Sequence, residues 1–310
     1  MSRAKTIKEI KSEYSEKIDF FELDLILEKV LKKPRSFILS HLEYKIPKLK
    51  IVNCKLKIAQ RAKGFPMAYI LGEKEFYGLK FRVNKNVLIP RPETELIIDE
   101  VNNLNSKFQI PNSKLFFIDI GTGSGAIIIT LAKILSSVIP AEATCLSGRQ
   151  GIQKKFIGID ISPKALKIAK ENAKLNKVDK KIKFIKGDLL NQILNSSLIT
   201  SNSTLVITAN LPYLTPSQIK NSPSIQHEPR LALVAGKDGL KYYRKLLAQI
   251  KYLRSFAPNL RIFAFLEIDN SQKNPISALI KKELPEAKFS IIKDLKKEYR
   301  VVRIEIYSPK

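Results

Sequence analysis

The sequence predicts an α/β protein: a doubly wound, mostly parallel sheet with an antiparallel edge, preceded by a small helical domain. Three observations carry this expectation. From Leu88 onward, short apolar runs alternate with helix-period segments, as βα units do. The first strong apolar run opens directly into a glycine-rich turn, Gly121-Thr122-Gly123-Ser124-Gly125. The last two runs lie too close together for a crossover helix, so an antiparallel hairpin is expected on the sheet edge.

Residues 1–65 read as helical. Phe21, Leu25, Ile26, Leu27, Val30 and Leu31 form a stripe at helical spacing. Pro34 suits the first turn of a short helix, Arg35 to Leu42, and a further helix from Ile51 to Ala62 is closed by Gly64 and Pro66. Residues 66–90 change character: Phe76-Tyr77-Gly78-Leu79-Lys80-Phe81 alternates around a glycine and predicts a β-hairpin connector. Residues 91–310 then carry the repeated units. Strands are expected at 115–118, 156–159, 182–185, 204–208 and 261–266, and helices at 126–135, 163–175 and 277–284. The late strand pair falls at 289–292 and 301–307. The connection over 136–155 exceeds the roughly two to six residues usual for an αβ loop and reads as an insertion.

Composition narrows the class. The two cysteines, Cys54 and Cys145, and the two histidines, His41 and His227, give no zinc spacing and no disulfide framework. No metal site is expected. The most apolar stretch, 115–138, is interrupted by Asp119, Lys133 and several small residues, and the first residues lack a signal-peptide core. A soluble, cytoplasmic, monomeric protein is expected. Net charge is +26, from 55 Lys and Arg against 29 Asp and Glu. That field favours weak association with RNA or the ribosome, although the lysines are spread along the chain rather than gathered into an aromatic-interleaved patch.

The residues expected to carry chemistry fall at carboxyl ends of the strands, the edge along which open α/β sheets bind ligands. The alternating glycines allow a tight turn and close approach of a ligand to the backbone, a fingerprint that nicotinamide enzymes share. Asp160 ends the second strand, where a carboxylate can accept both ribose hydroxyls of an adenosine cofactor, while Ser162 serves as the helix N-cap. It lies beyond the usual spacing of about 20 residues from the glycines, a difference the insertion supplies. Asp188 follows the third strand, where it either flanks the adenine or simply occupies a turn.

Asn210-Leu211-Pro212-Tyr213 follows the fourth strand. An amide or exocyclic amine is a poor nucleophile because its lone pair is delocalised. The Asn210 side-chain oxygen and the backbone carbonyl of Leu211 can accept its two N–H bonds, orienting the nitrogen toward a methyl donor held by the glycine turn. Pro212 restricts Leu211 to extended geometry, and Tyr213 offers a flat face to a planar group.

With these motifs the chain resembles the bacterial protein-(glutamine-N5) methyltransferases that modify peptide chain release factors. The likeness extends to Ala68-Tyr69-Ile70-Leu71-Gly72-Glu73, to Pro90-Arg91-Pro92-Glu93-Thr94-Glu95, to Glu228-Pro229-Arg230-Leu231 and to Gly236-Lys237-Asp238-Gly239-Leu240. It implies a Rossmann-like class I S-adenosylmethionine methyltransferase sheet. It implies that Gly121, Thr122, Gly123, Ser124, Gly125 and Asp160, with Asp188, Leu189 and Asn210, hold S-adenosylmethionine. Asn210, Leu211, Pro212 and Tyr213 then hold the glutamine of the release factor's Gly-Gly-Gln loop. Asn210, Pro212 and Tyr213 are the expected catalytic residues, and the amino-terminal helices are expected to recognise the substrate. Glu93 and Glu95 are expected to shape the pocket or to serve as salt-bridge or capping residues. The chain departs from the family in having Leu211 where a proline is usual and Leu189 where an aromatic is common. RNA adenine-N6 dimethyltransferases, which often carry Asn-Leu-Pro-Tyr, are the alternative. A nicotinamide oxidoreductase and an RNA-binding module with a degenerate methyltransferase fold are weaker rivals.

Overall fold

The computed structural model describes residues 4–104, 114–136, 153–194, 199–200, 203–220, 222 and 225–307. Five helices come first: α1 (Ile7–Tyr14), α2 (Phe20–Leu31), α3 (Arg35–Ser40), α4 (Lys48–Ala62) and α5 (Met67–Leu71). Their apolar faces close on a core of their own that includes Ile10, Leu23, Leu27, Ile38, Cys54 and Ile70. The chain starts this unit cleanly. Thr6 accepts from the Glu9 amide while the Glu9 carboxylate accepts from the Thr6 amide, a reciprocal cap on α1. Several boundaries differ from the sequence expectation: α5 carries the helical unit into the 66–90 connector, with Ile70 in its core, and α3 ends at Ser40 rather than Leu42. Pro34 is the N-cap of α3 rather than a first-turn residue, and α4 begins at Lys48, three residues before Ile51, because Pro47 sets its entry.

The connector is the expected hairpin, β1 (Glu73–Phe76) with β2 (Leu79–Arg82). Both turn residues, Tyr77 and Gly78, have positive φ, 50° and 70°. That turn matches the right-handed twist of the strands it joins. A short 3₁₀ turn, Pro92–Thr94, then leads into α6 (Glu95–Asn103), which the sequence pattern did not single out.

The sheet follows with β3 (Lys114–Ile120), α7 (Ala126–Leu135), β4 (Gln153–Asp160), α8 (Pro163–Leu175), β5 (Ile182–Lys186), α9 (Asn191–Leu194), β6 (Ser203–Ala209), α10 (Pro216–Lys220), α11 (Lys241–Phe256), β7 (Arg261–Glu267), α12 (Lys273–Glu283), β8 (Lys288–Lys293) and β9 (Tyr299–Ile306). Its order is β5-β4-β3-β6-β7-β9-β8; β3 to β7 are parallel and β9 runs antiparallel between β7 and β8. The late hairpin therefore caps the edge as expected. β4 begins at Gln153, so the last residues of the 136–155 connection belong to a strand; residues 137–152, with Cys145, lie outside the described residues. α12 starts at Lys273 rather than Ser277, because Asp269 and Gln272 form a capping box ahead of it and Pro275 fits the first turn, where no donor is needed.

Residues 115–120 of β3 are all buried, as a strand covered on both faces requires. Phe116, Ile118 and Ile120 face α11 and α12, while Leu115 and Phe117 face α6 and α7. The chain leaves β3 toward β4 and β5 on one side and returns to β6 and β7 on the other. The order thus reverses between β3 and β6, where a crevice opens at the strand ends.

Candidate active site

The ends of β3 and β6 pair through Ile120 and Ala209, so the glycine turn and Asn210 emerge side by side. One cleft is walled by Gly121, Thr122, Gly123, Ser124, Asp160, Asp188, Leu189, Asn210, Leu211 and Pro212. Most of the residues singled out from sequence therefore meet in one place. Leu88, Pro90, Pro229, Leu231 and Tyr242 close it from segments far apart in the chain.

The glycine turn is rigidly tied. Gly121, Gly123 and Gly125 have φ of 69°, 56° and 82°, where a side chain is strained. The Thr122 amide donates to the Ile159 carbonyl at 2.9 Å, and the Gly123 amide donates to Asp160 Oδ2 at 2.9 Å. Beneath the turn, buried Asp119 accepts from the hydroxyls of Thr122 (2.6 Å) and Thr208 (3.0 Å). Burial pushes the Asp119 carboxyl up to about 7, against the pull of those two hydroxyls. Gly125 does not line the cleft. A Cβ there would stand 2.7 Å from Ile129 Cδ1 and 3.3 Å from Ala169 Cβ, so this glycine lets α7 pack against α8.

Asp160 braces the turn from the next strand. Its Oδ1 accepts from the Ser162 amide at 2.8 Å, and Ser162 caps α8 by accepting from the Ala165 amide. Burial raises the Asp160 carboxyl above the usual range, and the backbone amides of Ser162, Gly123 and Ile161 oppose that rise. Each carboxylate oxygen has a second acceptor site. Asp188 reaches the cleft with its carboxylate paired to Lys245. Leu189 sits beside it with φ of 54° and presents an aliphatic wall.

Asn210 is held from an unexpected direction. Its Nδ2 donates to Thr94 Oγ1 at 3.0 Å, and that hydroxyl donates to Glu267 Oε2 at 2.6 Å. Thr94 and Glu267 are both buried. Glu93 and Glu95, by contrast, do not wall the cleft: Glu93 pairs with Lys296, and Glu95 accepts from the Tyr77 amide. Buried Glu228 secures the segment above them, accepting from the Ile89 amide and from the Arg91 guanidinium. Tyr213 also differs from expectation. Rather than facing the cleft, it packs against the sheet core behind the Asn210 loop, and burial pushes its phenol well up. The loop is pinned there: Leu214 bridges to Val234, Tyr243 donates to the Glu267 carbonyl, and the Tyr243 hydroxyl lies 3.4 Å from the Leu211 carbonyl.

Thr94, Glu228, Tyr243 and Glu267 were thus missed as site residues. Thr94 and Glu228 lie inside motifs already noticed. A carboxylate closing the apolar run 262–266, as Glu267 does, was the remaining signal. Among the described residues no cluster of His, Cys, Asp and Glu could hold a metal, and no helix is long and apolar enough to cross a membrane.

Fold and cleft together define a Rossmann-like methyltransferase of the class that uses S-adenosylmethionine. Residues 111–290 match a methyltransferase domain family, and residues 7–72 match the PrmC N-terminal domain. The chain is 32% identical over 286 residues to the release factor glutamine methyltransferase of Bacillus anthracis, covering 91% of each. It is 30% identical over 278 residues to the enzyme of the same description in Bacillus subtilis strain 168, covering 89% of this chain and 88% of that one. The hMettl16 catalytic domain, solved in complex with a MAT2A 3'UTR hairpin, shares the fold with a TM-score of 0.56 at 14% identity, over 95% of this chain and 93% of that one. The chain belongs to the release factor glutamine methyltransferase family.

Proposed function

We propose that this protein transfers a methyl group from S-adenosylmethionine to the side-chain amide nitrogen (N5) of the glutamine in the Gly-Gly-Gln motif of peptide chain release factors. The observation that carries this is the meeting, in one cleft, of an oriented asparagine carboxamide with a glycine turn backed by a strand-end carboxylate. The cleft residues suit the cofactor. Positive-φ glycines leave backbone bare beside the cleft, and Asp160 retains lone pairs for two ribose hydroxyls. Leu189 and the other apolar wall residues suit an adenine ring, and Asp188 stands at its rim.

S-adenosylmethionine supplies a sulfonium methyl group. Asn210 Oδ1 and the Leu211 carbonyl accept the two N–H bonds of the glutamine amide and aim its nitrogen at that carbon. Transfer of that methyl would leave the neutral thioether, and the proton lost by the amide nitrogen would pass to solvent. Acceptors fixed before the reaction stabilise the positive charge growing on the nitrogen without reorganising. Leu211 in place of the usual proline keeps this scheme intact, because the contact is made by a backbone oxygen. Tyr213 and Pro212 serve by holding the loop.

The helical unit is proposed to recognise the release factor. On α4, Leu49, Val52 and Leu56 stand 84%, 65% and 60% exposed at helical spacing, an apolar stripe without cover among the described residues. The unit touches the cleft loop directly, since Phe65 stacks on His227 with ring centroids 4.0 Å apart. The basic surface is proposed to add weak attraction to the ribosome or its RNA.

Methyl-labelled S-adenosylmethionine tests the reaction with three acceptors: a release factor, the same factor with its Gly-Gly-Gln glutamine replaced, and ribosomal RNA. Label on the intact factor alone is expected. Label on RNA alone would mean that Asn210-Leu211-Pro212-Tyr213 performs adenine chemistry instead.

A further inference from the structure

A carboxamide has two ends of nearly the same shape, one that donates and one that accepts. Packing alone does not choose between them, yet an amide nucleophile must meet the accepting end. In this protein the choice is made by hydrogen-bond polarity. The Thr94 hydroxyl has one proton and two lone pairs. Its proton goes to Glu267, so toward Asn210 it can only accept, and Asn210 Nδ2 donates to it. Thr94 and Glu267 are 4% and 1% exposed, which leaves bulk water out of the exchange. The three residues come from three segments: the turn before α6, the loop after β6 and the end of β7. Pairing of Ala209 with Leu266 brings the last two together.

We propose that Thr94 and Glu267 are positioning residues that orient the Asn210 carboxamide, turning its oxygen toward the cleft and thereby setting the geometry of methyl transfer. The proposal deepens the glutamine reading above and rests on it. Thr94 borders the cleft while Glu267 does not, and both bear on the reacting amide through Asn210. An ionised Glu267 can only accept, which fixes the direction of the whole chain. A protonated Glu267 can instead donate to Thr94, which frees the Thr94 proton for Asn210 and lets the amide present its NH₂ to the cleft.

The surroundings place that change within reach. Burial lifts the Glu267 carboxyl to about 7, while the Thr94 hydrogen bond, Arg300 and Arg91 draw it down and Glu93 adds to the rise. The groups facing it are Arg91, Glu93 and Thr94 from the segment before α6, Arg300 from β9, and Tyr213 and Tyr243 from the loop after β6 and α11; Asp269 acts on Tyr213 from the loop after β7. Turnover is therefore expected to fall as pH drops below about 7.

The test uses the full chain with a release factor and labelled S-adenosylmethionine, comparing wild type with Thr94→Val, Thr94→Ser, Glu267→Gln and Asn210→Ala. Thr94→Val keeps the shape and removes the hydroxyl. It should lower kcat about tenfold, the effect of one lost hydrogen bond, with cofactor affinity and KM for the release factor near wild type and a lowered thermal midpoint from the unpartnered Glu267. Thr94→Ser should restore turnover to within about threefold, because the hydroxyl rather than the methyl matters. Glu267→Gln should abolish the acid limb of the kcat profile. Thr94→Val with kcat within twofold of wild type overturns the proposal, as does Thr94→Ser impaired as badly as Thr94→Val, or Glu267→Gln with the acid limb intact. Should wild type label no release factor, the glutamine reading itself fails and the proposal goes with it. Label that survives in Asn210→Ala would show that Asn210 is not the residue being positioned, which likewise overturns it.

Discussion

Two glycines with nearly the same backbone conformation allow strain and collision to be separated in one experiment. Gly78 in the β1–β2 turn has φ of 70°, and a Cβ there would meet nothing within 4 Å. Gly239, before α11, has φ of 73°, but its Cβ would fall 2.3 Å from the Tyr213 carbonyl oxygen and 2.8 Å from Gln272 Nε2. Both alanine variants incur the left-handed cost of about 1–2 kcal/mol. For Gly78→Ala that is the whole effect. In Gly239→Ala the colliding atom is backbone and cannot rotate aside, so the Asn210–Tyr213 loop or α11 must move by on the order of 1 Å, with overpacking adding about 1–3 kcal/mol. The sum, about 2–5 kcal/mol, should appear in thermal unfolding as the larger shift. A displacement of that size at the amide-binding loop should lower kcat on the order of 100-fold. Gly78→Ala should keep kcat within about twofold. Cofactor affinity, measured by titration calorimetry, should change far less than kcat in either variant, because the glycine turn is held separately by Ile159 and Asp160 of β4. If Gly239→Ala matched Gly78→Ala in both stability and turnover, the loop would not be held by this contact and the placement of Tyr213 behind the site would be wrong.

Three further outcomes are expected. Asp160→Asn removes a charge-assisted acceptor and should weaken cofactor binding by about tenfold or more; unchanged affinity in a binding titration would remove Asp160 from the ribose role. Glu267 has a folded-state carboxyl near 7, above its ordinary 4.5, so its contribution to stability is present at low pH and is lost as pH rises through that range. Asp119, also raised to about 7, acts in the same sense. The thermal midpoint of Glu267→Gln relative to wild type should therefore rise between about pH 4.5 and pH 7, the window between the two values, and a constant difference there would contradict the raised carboxyl. Replacing Leu49, Val52 and Leu56 on α4 by serine should raise KM for the release factor on the order of tenfold while kcat and cofactor affinity hold; an unchanged KM would argue against that face as the docking surface.

Sequence alone determined the strands and part of the helical layers, but not α6 or α11, which cover opposite faces of the sheet. Strand periodicity located β3 to β9 within a few residues, because a buried strand must be apolar and its neighbours must turn. The glycine turn, Asp160 and Asn210 were legible because their chemistry is local: a positive φ, a strand-end carboxylate, an asparagine before a restricted X-Pro. Boundaries slipped where a cap or proline outside the apolar stripe decided them, as Pro47 did for α4 and the Asp269–Gln272 box for α12.

The tertiary structure decided the partnerships. Thr94 and Asn210 are 116 positions apart, and Thr94 and Glu267 are 173 apart; no local pattern records that the three meet. Glu93 and Glu95 drew attention from sequence because they are charged, yet it is the uncharged threonine between them that points inward, since a turn of 3₁₀ helix sends neighbouring side chains in different directions. Tyr213 looked like a stacking platform because it follows Pro212, but the bridge from Leu214 to Val234 and the close approach of Gly239 turn it into the core. Short-range backbone preferences are written residue by residue, and the sequence displays them. The hydrogen-bond polarity at the Asn210 amide depends on which distant groups are buried together, and only the packed fold specifies that.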